Sequence, residues 1–518
     1  MDYIKTKVVK HRSLLALLFV YFSFTVFNLT ALPIYNDESI YLDWSWSEIH
    51  IPGNLFMSLT DAKQPLLMWL FGISEKFFSD PLFAGRFVSV IIGATALVGV
   101  YVVSKKLCNS RVAFLASLLY IITPIFVFYN RQALMESSIA SVGIWSFYFL
   151  LRLLNKPTYK TAVILGIIFG LGFFTKSSGL LFIAPALFLI ITTLIKNKSV
   201  LLFKSLFILA LSFFITDFLL FIEPIFWQTF STNSRYSLTV PEMVRFPVFL
   251  WLHNFSAAFQ IGFVFITPLV FIAALIGLIV LLRRRDKNSN LFLSYFVLSL
   301  TLEVFSARTL NQRYLDCFLL FLVIPAAFSM WLLWKAGGWK KALAVVIPIP
   351  SLVLSLFLVI SPISYILETS KVSPYAETGY VYEQTSGFGI QEVVNYLKGK
   401  SRTQVILVGF ALNSGNPENA IDVYMAENPH AFSFHMASAF FPNLKKYQCL
   451  SSKYPVYFVS RYDQQAGLDG YLVQEKRFQH PYSNYWLSIY ALKKNCKGNT
   501  LSLSDVYKNA LLEERQIK

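Results

Sequence analysis

Long apolar runs alternate with short polar connections along most of the chain. A helix needs roughly 20 apolar residues to cross a bilayer. By that measure spans fall near 13–32, 82–104, 112–129, 136–154, 161–176, 178–195, 204–226, 258–282, 291–306, 315–334 and 342–363. The pattern predicts a polytopic α-helical membrane protein with about 11 transmembrane helices. The first run follows "KTKVVKHR" and has no small-residue cleavage site. It is longer than the roughly 7 to 15 apolar residues of a signal-peptide core, so it reads as a retained helix. The run "PLLMWLFGISEKFF" is too short to cross and carries Glu75 and Lys76. An amphipathic helix lying in the interface suits it.

Beyond about residue 364 the pattern changes. "GIQEVVNYLKG" has the period of an amphipathic helix, whereas "TQVILVGF" and "YPVYFVS" read as buried strands. Two domains follow: a membrane domain over 1–363, whose first outer loop spans 33–81 and carries interfacial helices, and a small soluble α/β domain over 364–518.

Composition and charge refine this picture. Hydrophobic residues make up 56% of the chain and charged residues 14%, so an all-soluble reading is excluded. The net charge of +17 does not point to nucleic acid, because the basic residues cluster in loops between apolar runs. Lys5, Lys7, Lys10 and Arg12, then Lys105, Lys106 and Arg111, then Arg152, Lys156 and Lys160 occupy one parity of loops. Arg283, Arg284, Arg285 and Lys287 continue the same parity. By the positive-inside rule that side is cytoplasmic. The N-terminus is therefore expected inside and the C-terminal domain outside. Short loops and the lack of eukaryotic sorting signals suggest a prokaryotic plasma membrane. Cys108 and Cys317 lie in or beside spans. Cys449 and Cys496 lie in the outer domain, where either a disulfide or a free pair is chemically permitted. No Cys/His spacing typical of a metal site occurs.

Ionisable residues at membrane depth are costly and tend to mark function. Here they gather near the predicted outer face: Asp37 and Glu38 after the first span, Lys63 before the interfacial helix, Arg131 and Glu136 at the top of the third and fourth spans, and Lys176 at the end of the fifth. Glu303, Arg308, Arg313 and Tyr314 surround a further outer loop. A bundle would let these groups converge on one polar cavity beside lipid. A carboxylate there could serve as base toward an acceptor hydroxyl, while Lys or Arg could hold a departing phosphate. Outside the cytoplasm a lipid-linked phosphate is a suitable carrier of activated sugar.

The ordered series "YNDESIY", "KQPLLMW", "AGRFVSVIIGA", "NRQALMESS", "GLGFFTKSSG" and "NQRYL" resembles the GT-C membrane glycosyltransferases. The resemblance is nearest to the protein O-mannosyltransferase and 4-amino-4-deoxy-L-arabinose transferase group, which uses dolichyl- or undecaprenyl-phosphate sugars. It covers about the first 360 residues. It implies a GT-C fold and an inverting single displacement of one sugar from a polyprenyl-phosphate-linked donor. Asp37 would be the catalytic base, with Glu38 tuning it, binding sugar or capping a helix. Lys63, Tyr41, Arg313 and Tyr314 would contact the donor phosphate, and Glu136, Arg131 and Lys176 would form a second, supporting acidic and basic group. No catalytic divalent metal is implied.

The chain departs from the group's pattern at Ile40, Ala62 and Gln64, and Glu136 stands where Asp is usual. The sugar therefore stays open, as does the acceptor, which could be protein, lipid or glycan. Two rival readings are an oligosaccharyltransferase, against which no "WWD"-type stretch occurs in the outer domain, and a flippase of lipid-linked sugars. A flippase would tend to show related halves and broken mid-membrane helices.

Overall fold

The computed structural model describes residues 2–232, 235–411, 415–436, 454–461 and 470–493. Cys449 and Cys496, whose pairing the sequence leaves open, lie outside the described residues. The chain forms two compact units. The first comprises Met1–Leu29, Pro52–Phe71 and Gly85–Ala376; the second comprises Thr30–Ile51, Gly72–Ala84 and Glu377–Lys518.

In the first unit every apolar run predicted to span is helical. The helices are Asp2–Val26, Pro81–Leu107, Ser110–Ile122, Glu136–Asn155, Tyr159–Thr175, Leu180–Asn197, Val200–Thr216, Lys287–Ser306 and several broken ones. Among the described residues seven helices are long and apolar enough to cross a membrane. The breaks account for several of the shorter ones. Pro124 opens a separate turn over Pro124–Tyr129, because proline has no N–H to continue the preceding ladder. The single run expected over 258–282 is two helices, Val248–Phe265 and Pro268–Arg284. Thr267 takes a left-handed φ of 76° between them, and Pro268 starts the second.

Helix ends are secured by the residues the sequence puts there. The Asp286 carboxylate accepts from the N–H groups of Asn288 and Ser289, and Asn109 does the same for Arg111 and Val112. The basic connections meet at one end of the bundle. Arg284 donates to the Leu107 carbonyl at 3.3 Å, and Lys287 donates to that of Leu154 at 2.9 Å. Charge parity had assigned these three connections to one side. Inside the bundle, Gly277 lies directly on the Pro325 backbone, so that helices Pro268–Arg284 and Val323–Ala336 approach with no room for a side chain.

The second unit is built on a five-stranded sheet. Its strands are β1 (Ile406–Ala411), β2 (Ala431–Met436), β3 (Val456–Arg461), β4 (Leu472–Gln479) and β5 (Trp486–Leu492), in the order β2-β1-β3-β5-β4. The two strands read from "TQVILVGF" and "YPVYFVS" are β1 and β3, and "GIQEVVNYLKG" is the helix Ile390–Ser401. Strands β1, β2 and β3 are parallel, while β5 runs antiparallel to β3 and β4. Leu407, Phe434, Val456, Phe458 and Leu492 form one core cluster against the sheet. From β1 the chain passes through helix Glu418–Met425 to β2 on one flank, then returns to place β3 on the other. A topological switch point therefore lies at the carboxyl ends of β1 and β3.

The helix Asn36–His50 belongs to this second unit. Its sequence is too polar for a span, and its first turn is held by the loop that follows β1. Asn416 donates its backbone N–H to Asn36 Oδ1 at 2.8 Å and its amide to the carbonyls of Ile34 and Thr385, both at 3.0 Å. About two turns further along this helix, the Asn419 amide donates to Asp43 Oδ2 at 2.6 Å. Asp43 also faces Asp422, which pairs with His435 at 2.7 Å. Burial, with Asp422 adding repulsion, pushes the Asp43 carboxyl up to about 7.

Candidate functional site

Within the membrane unit, Lys176 and Arg313 meet at Glu136. This glutamate opens helix Glu136–Asn155, where a carboxylate is favoured by the helix dipole. Lys176 is the residue at which helix Tyr159–Thr175 stops, and Arg313 sits in the first turn of Gln312–Leu319. The Asn311 side chain caps that turn by accepting from the Tyr314 N–H. Both cations converge on one oxygen: Arg313 Nε donates to Glu136 Oε1 at 2.8 Å, and Lys176 Nζ donates to the same atom at 3.1 Å. The Glu136 side chain is only 2% exposed, whereas Lys176 keeps 22% and Arg313 15%. The carboxylate is thus the buried anchor, and the cations face a cavity.

That cavity is small, with a volume of about 20 Å³, and is lined by Glu136, Lys176, Glu303, Arg313 and Tyr314, with Cys317 and Phe318 among its apolar walls. Lys176 also lies over the Tyr314 ring, 5.4 Å from its centroid. Two cations held by one carboxylate, in a site partly walled by apolar groups, can bind a further anion. Arg and Lys there would offer charge-assisted hydrogen bonds to phosphate oxygens.

Lys63 lies on the adjoining segment. Gln64 next to it donates to the Ser177 hydroxyl at 2.7 Å, which ties the Lys63 segment to the Lys176 turn. The Lys63 ammonium sits over the Tyr236 ring, 4.8 Å from its centroid. Tyr236 is in turn held by the end of helix Lys287–Ser306, because the Arg308 N–H donates to its carbonyl at 3.1 Å. Sequence reading did not single out Tyr236; its only signal was an aromatic flanked by arginine in an outer loop, "NSRYSL". Glu303 reads in the sequence as a costly charge, and its burial against this cavity links it to Glu136.

Arg131 does something else. Its guanidinium donates to the carbonyls of Phe27 and Asn28, both at 2.8 Å, at the end of the first helix. Arg86, fully buried, donates to the next carbonyl, that of Leu29, at 2.9 Å. These two arginines satisfy the carbonyls of the turn that follows the first helix. The pairing of Glu136 is with Lys176 and Arg313.

The adjacent acids of the other unit differ in environment. Glu38 is fully buried and closes a capping box, its Oε2 accepting from the Tyr35 N–H at 3.1 Å. Asp37, one residue earlier in the same first turn, is half-buried. Tyr41 is buried beside Trp44, with ring centroids 6.1 Å apart.

Comparison with known proteins agrees with this architecture. Residues 62–219 match the family described as dolichyl-phosphate-mannose-protein mannosyltransferase. The fold matches that of ArnT from Cupriavidus metallidurans, solved with undecaprenyl phosphate bound, at a TM-score of 0.56 and 15% identity, covering 94% of this chain and 98% of that one. An oligosaccharyltransferase from Archaeoglobus fulgidus aligns with a TM-score of 0.49 at 14% identity, over 86% of this chain and 67% of that one. No curated protein sequence matches this chain. The resemblance read from the ordered motifs is borne out by the family match and by the fold, which extends over both units.

Proposed function

We propose that this chain, a membrane protein with the fold of ArnT and a mannosyltransferase-type segment over 62–219, is a glycosyltransferase. It moves a single sugar from a polyprenyl-phosphate-linked donor to an acceptor on the extracytoplasmic side of the membrane. The observation that carries this reading is the cavity in the membrane unit where Glu136 holds Lys176 and Arg313 beside Tyr314.

In this mechanism Asp37 accepts the proton of the acceptor nucleophile. The nucleophile attacks the anomeric carbon from the face opposite the phosphate, so the configuration inverts. Polyprenyl phosphate departs as a stable anion and needs no general acid. Lys63, Arg313 and Tyr314 stabilise its charge, with Tyr41 supporting the same group, while Glu136 and Lys176 keep Arg313 in position. Glu38 contributes by fixing the turn that carries Asp37. No metal takes part, so chelator leaves the rate unchanged. The basic end of the bundle faces the cytoplasm.

The test uses the purified full chain in proteoliposomes with a panel of radiolabelled polyprenyl-phosphate sugars and a crude acceptor extract. Transfer of label to acceptor, with equal release of polyprenyl phosphate, is the expected result. Movement of intact lipid-linked sugar across the bilayer without bond cleavage would replace this reading with a flippase.

A further inference from the structure

A cavity of about 820 Å³ lies at the basic end of the membrane unit and takes no part in the mechanism above. It is lined by Leu282, Arg283, Arg285 and Asn290, and so sits on the turn that joins helices Pro268–Arg284 and Lys287–Ser306. Its volume falls within the roughly 300–1,000 Å³ of ligand pockets.

The charges of this turn divide into two sets. Arg284 serves the fold: its Nε pairs with Asp286 Oδ2 at 3.0 Å, and its guanidinium lies over the Phe328 ring, 5.5 Å from the centroid. Asp286 is occupied as well, since it also caps the second helix and accepts from the Ser289 hydroxyl at 2.6 Å. Lys287 is taken up by the Leu154 carbonyl. Arg283 and Arg285 are different. Both are exposed, both line the cavity, and among the described residues neither guanidinium has a protein partner. Arg285 moreover has a left-handed φ of 52°. Just after a helix, glycine is the residue that adopts this conformation at least cost. An arginine there brings a cation together with backbone strain.

Apolar surface leads up to the cavity. Ile272, Ile276 and Ile279 are exposed along one face of helix Pro268–Arg284, and Arg283 continues that face four residues later. Leu282, itself exposed, forms the cavity's apolar wall. Two cations at the end of a lipid-facing stripe match a ligand with an anionic head and an apolar tail. Arginine suits a phosphate in particular, because its planar fork can give two parallel charge-assisted hydrogen bonds. We infer that this cavity binds the headgroup of an anionic phospholipid, with its phosphate on Arg283 and Arg285 and an acyl chain along Ile279 and Ile276. Asn290 offers an amide to the headgroup hydroxyls. A free phosphate would use the cations but leave the apolar stripe uncovered. The site does not depend on the glycosyltransferase reading.

The test is native mass spectrometry of the full chain released from maltoside micelles, with dioleoyl phosphatidylglycerol and dioleoyl phosphatidylcholine as separate probes. Phosphatidylglycerol should bind about tenfold more tightly than phosphatidylcholine. That preference should vanish when Arg283→Gln and Arg285→Gln are combined. It should persist when Lys105→Gln and Lys106→Gln are combined, which removes the same charge beside Leu107, whose carbonyl Arg284 reaches. Arg285→Gly should weaken phosphatidylglycerol binding about threefold while melting no lower than the parent chain, because glycine accommodates the left-handed turn. Loss of binding in that variant therefore cannot come from misfolding. Inorganic phosphate at millimolar concentration should not displace the lipid. Equal binding of the two lipids, equal loss in both double variants, or unchanged binding in Arg285→Gly would overturn the inference. Displacement by inorganic phosphate would also overturn it, by making the site one for a free anion.

Discussion

Replacing Glu136 with Gln removes the carboxylate charge with which both Lys176 and Arg313 pair. The glutamine keeps the shape, so the effect is electrostatic. Removing one partner of a buried ion pair costs about 3–5 kcal/mol, because the remaining charge stays desolvated and uncompensated. Lys176 and Arg313 keep 22% and 15% exposure, so the lower end of that range applies. For a unit of several hundred residues, each kcal/mol shifts the melting temperature by roughly 1–2 °C. Glu136→Gln should therefore melt about 3–6 °C below the parent chain. The two released cations can instead pair with an added anion. Undecaprenyl phosphate should thus stabilise the variant by several degrees more than it stabilises the parent chain. Differential scanning fluorimetry in detergent, with and without the lipid, reads both effects. An unchanged melting temperature in Glu136→Gln would show that the pairing contributes nothing. A lipid shift no larger than the parent's would separate the cavity from phosphate binding.

Other expectations follow from the same geometry. Glu38→Gln keeps an oxygen that can accept the Tyr35 N–H, so initial transfer rates should fall by less than about tenfold, the cap being worth about 1 kcal/mol. Asn416→Ala leaves the Ile34 and Thr385 carbonyls without their amide donor, at a cost of about 1–3 kcal/mol. Steady-state kinetics should show kcat lowered with donor KM little changed, since the Asp37 turn is displaced and the membrane cavity is not. The second unit should lose stability as pH rises. Burial works against the charged His435 imidazole, but Asp422, with Asp43 and Glu418 behind it, outweighs this and lifts it to about 9. Burial, with repulsion from Asp422, raises the carboxyls of Asp43 to about 7 and Glu418 to about 8. All three pKa values lie above their unfolded values of 3.8, 4.5 and 6.5, so the stability is present at low pH and lost progressively as pH rises from about 4 to about 9. Hydrogen exchange of β1–β3 amides should quicken over that window, and Asp43→Asn should lessen the change.

Much of the membrane part was legible because a span must satisfy its own backbone in lipid, and this forces long apolar runs. The break at Thr267 was not legible, since an apolar run continues through it and only Pro268 hints at it. Strands β1 and β3 stood out as short apolar runs; β4, exposed along Gln474–Arg477, did not. Asp37, Lys63, Glu136, Lys176 and Arg313 could be picked out as costly charges in one family-like order. Their partners could not be read, because pairing across tens or hundreds of residues is a property of packing. Arg131 illustrates this: beside Glu136 in sequence, it serves the end of the first helix instead. The assignment of helix Asn36–His50 to the C-terminal unit likewise depends on Asn416 and Asn419, which carry no motif.

The most direct test of the account is sugar transfer and polyprenyl-phosphate release by the parent chain and by Asp37→Asn in the same proteoliposomes. The account predicts equal molar transfer and release with inverted configuration in the parent, and loss of both by at least about a hundredfold in Asp37→Asn, with an unchanged melting temperature. Transfer by Asp37→Asn at the parent's rate, or a product of retained configuration, would contradict it.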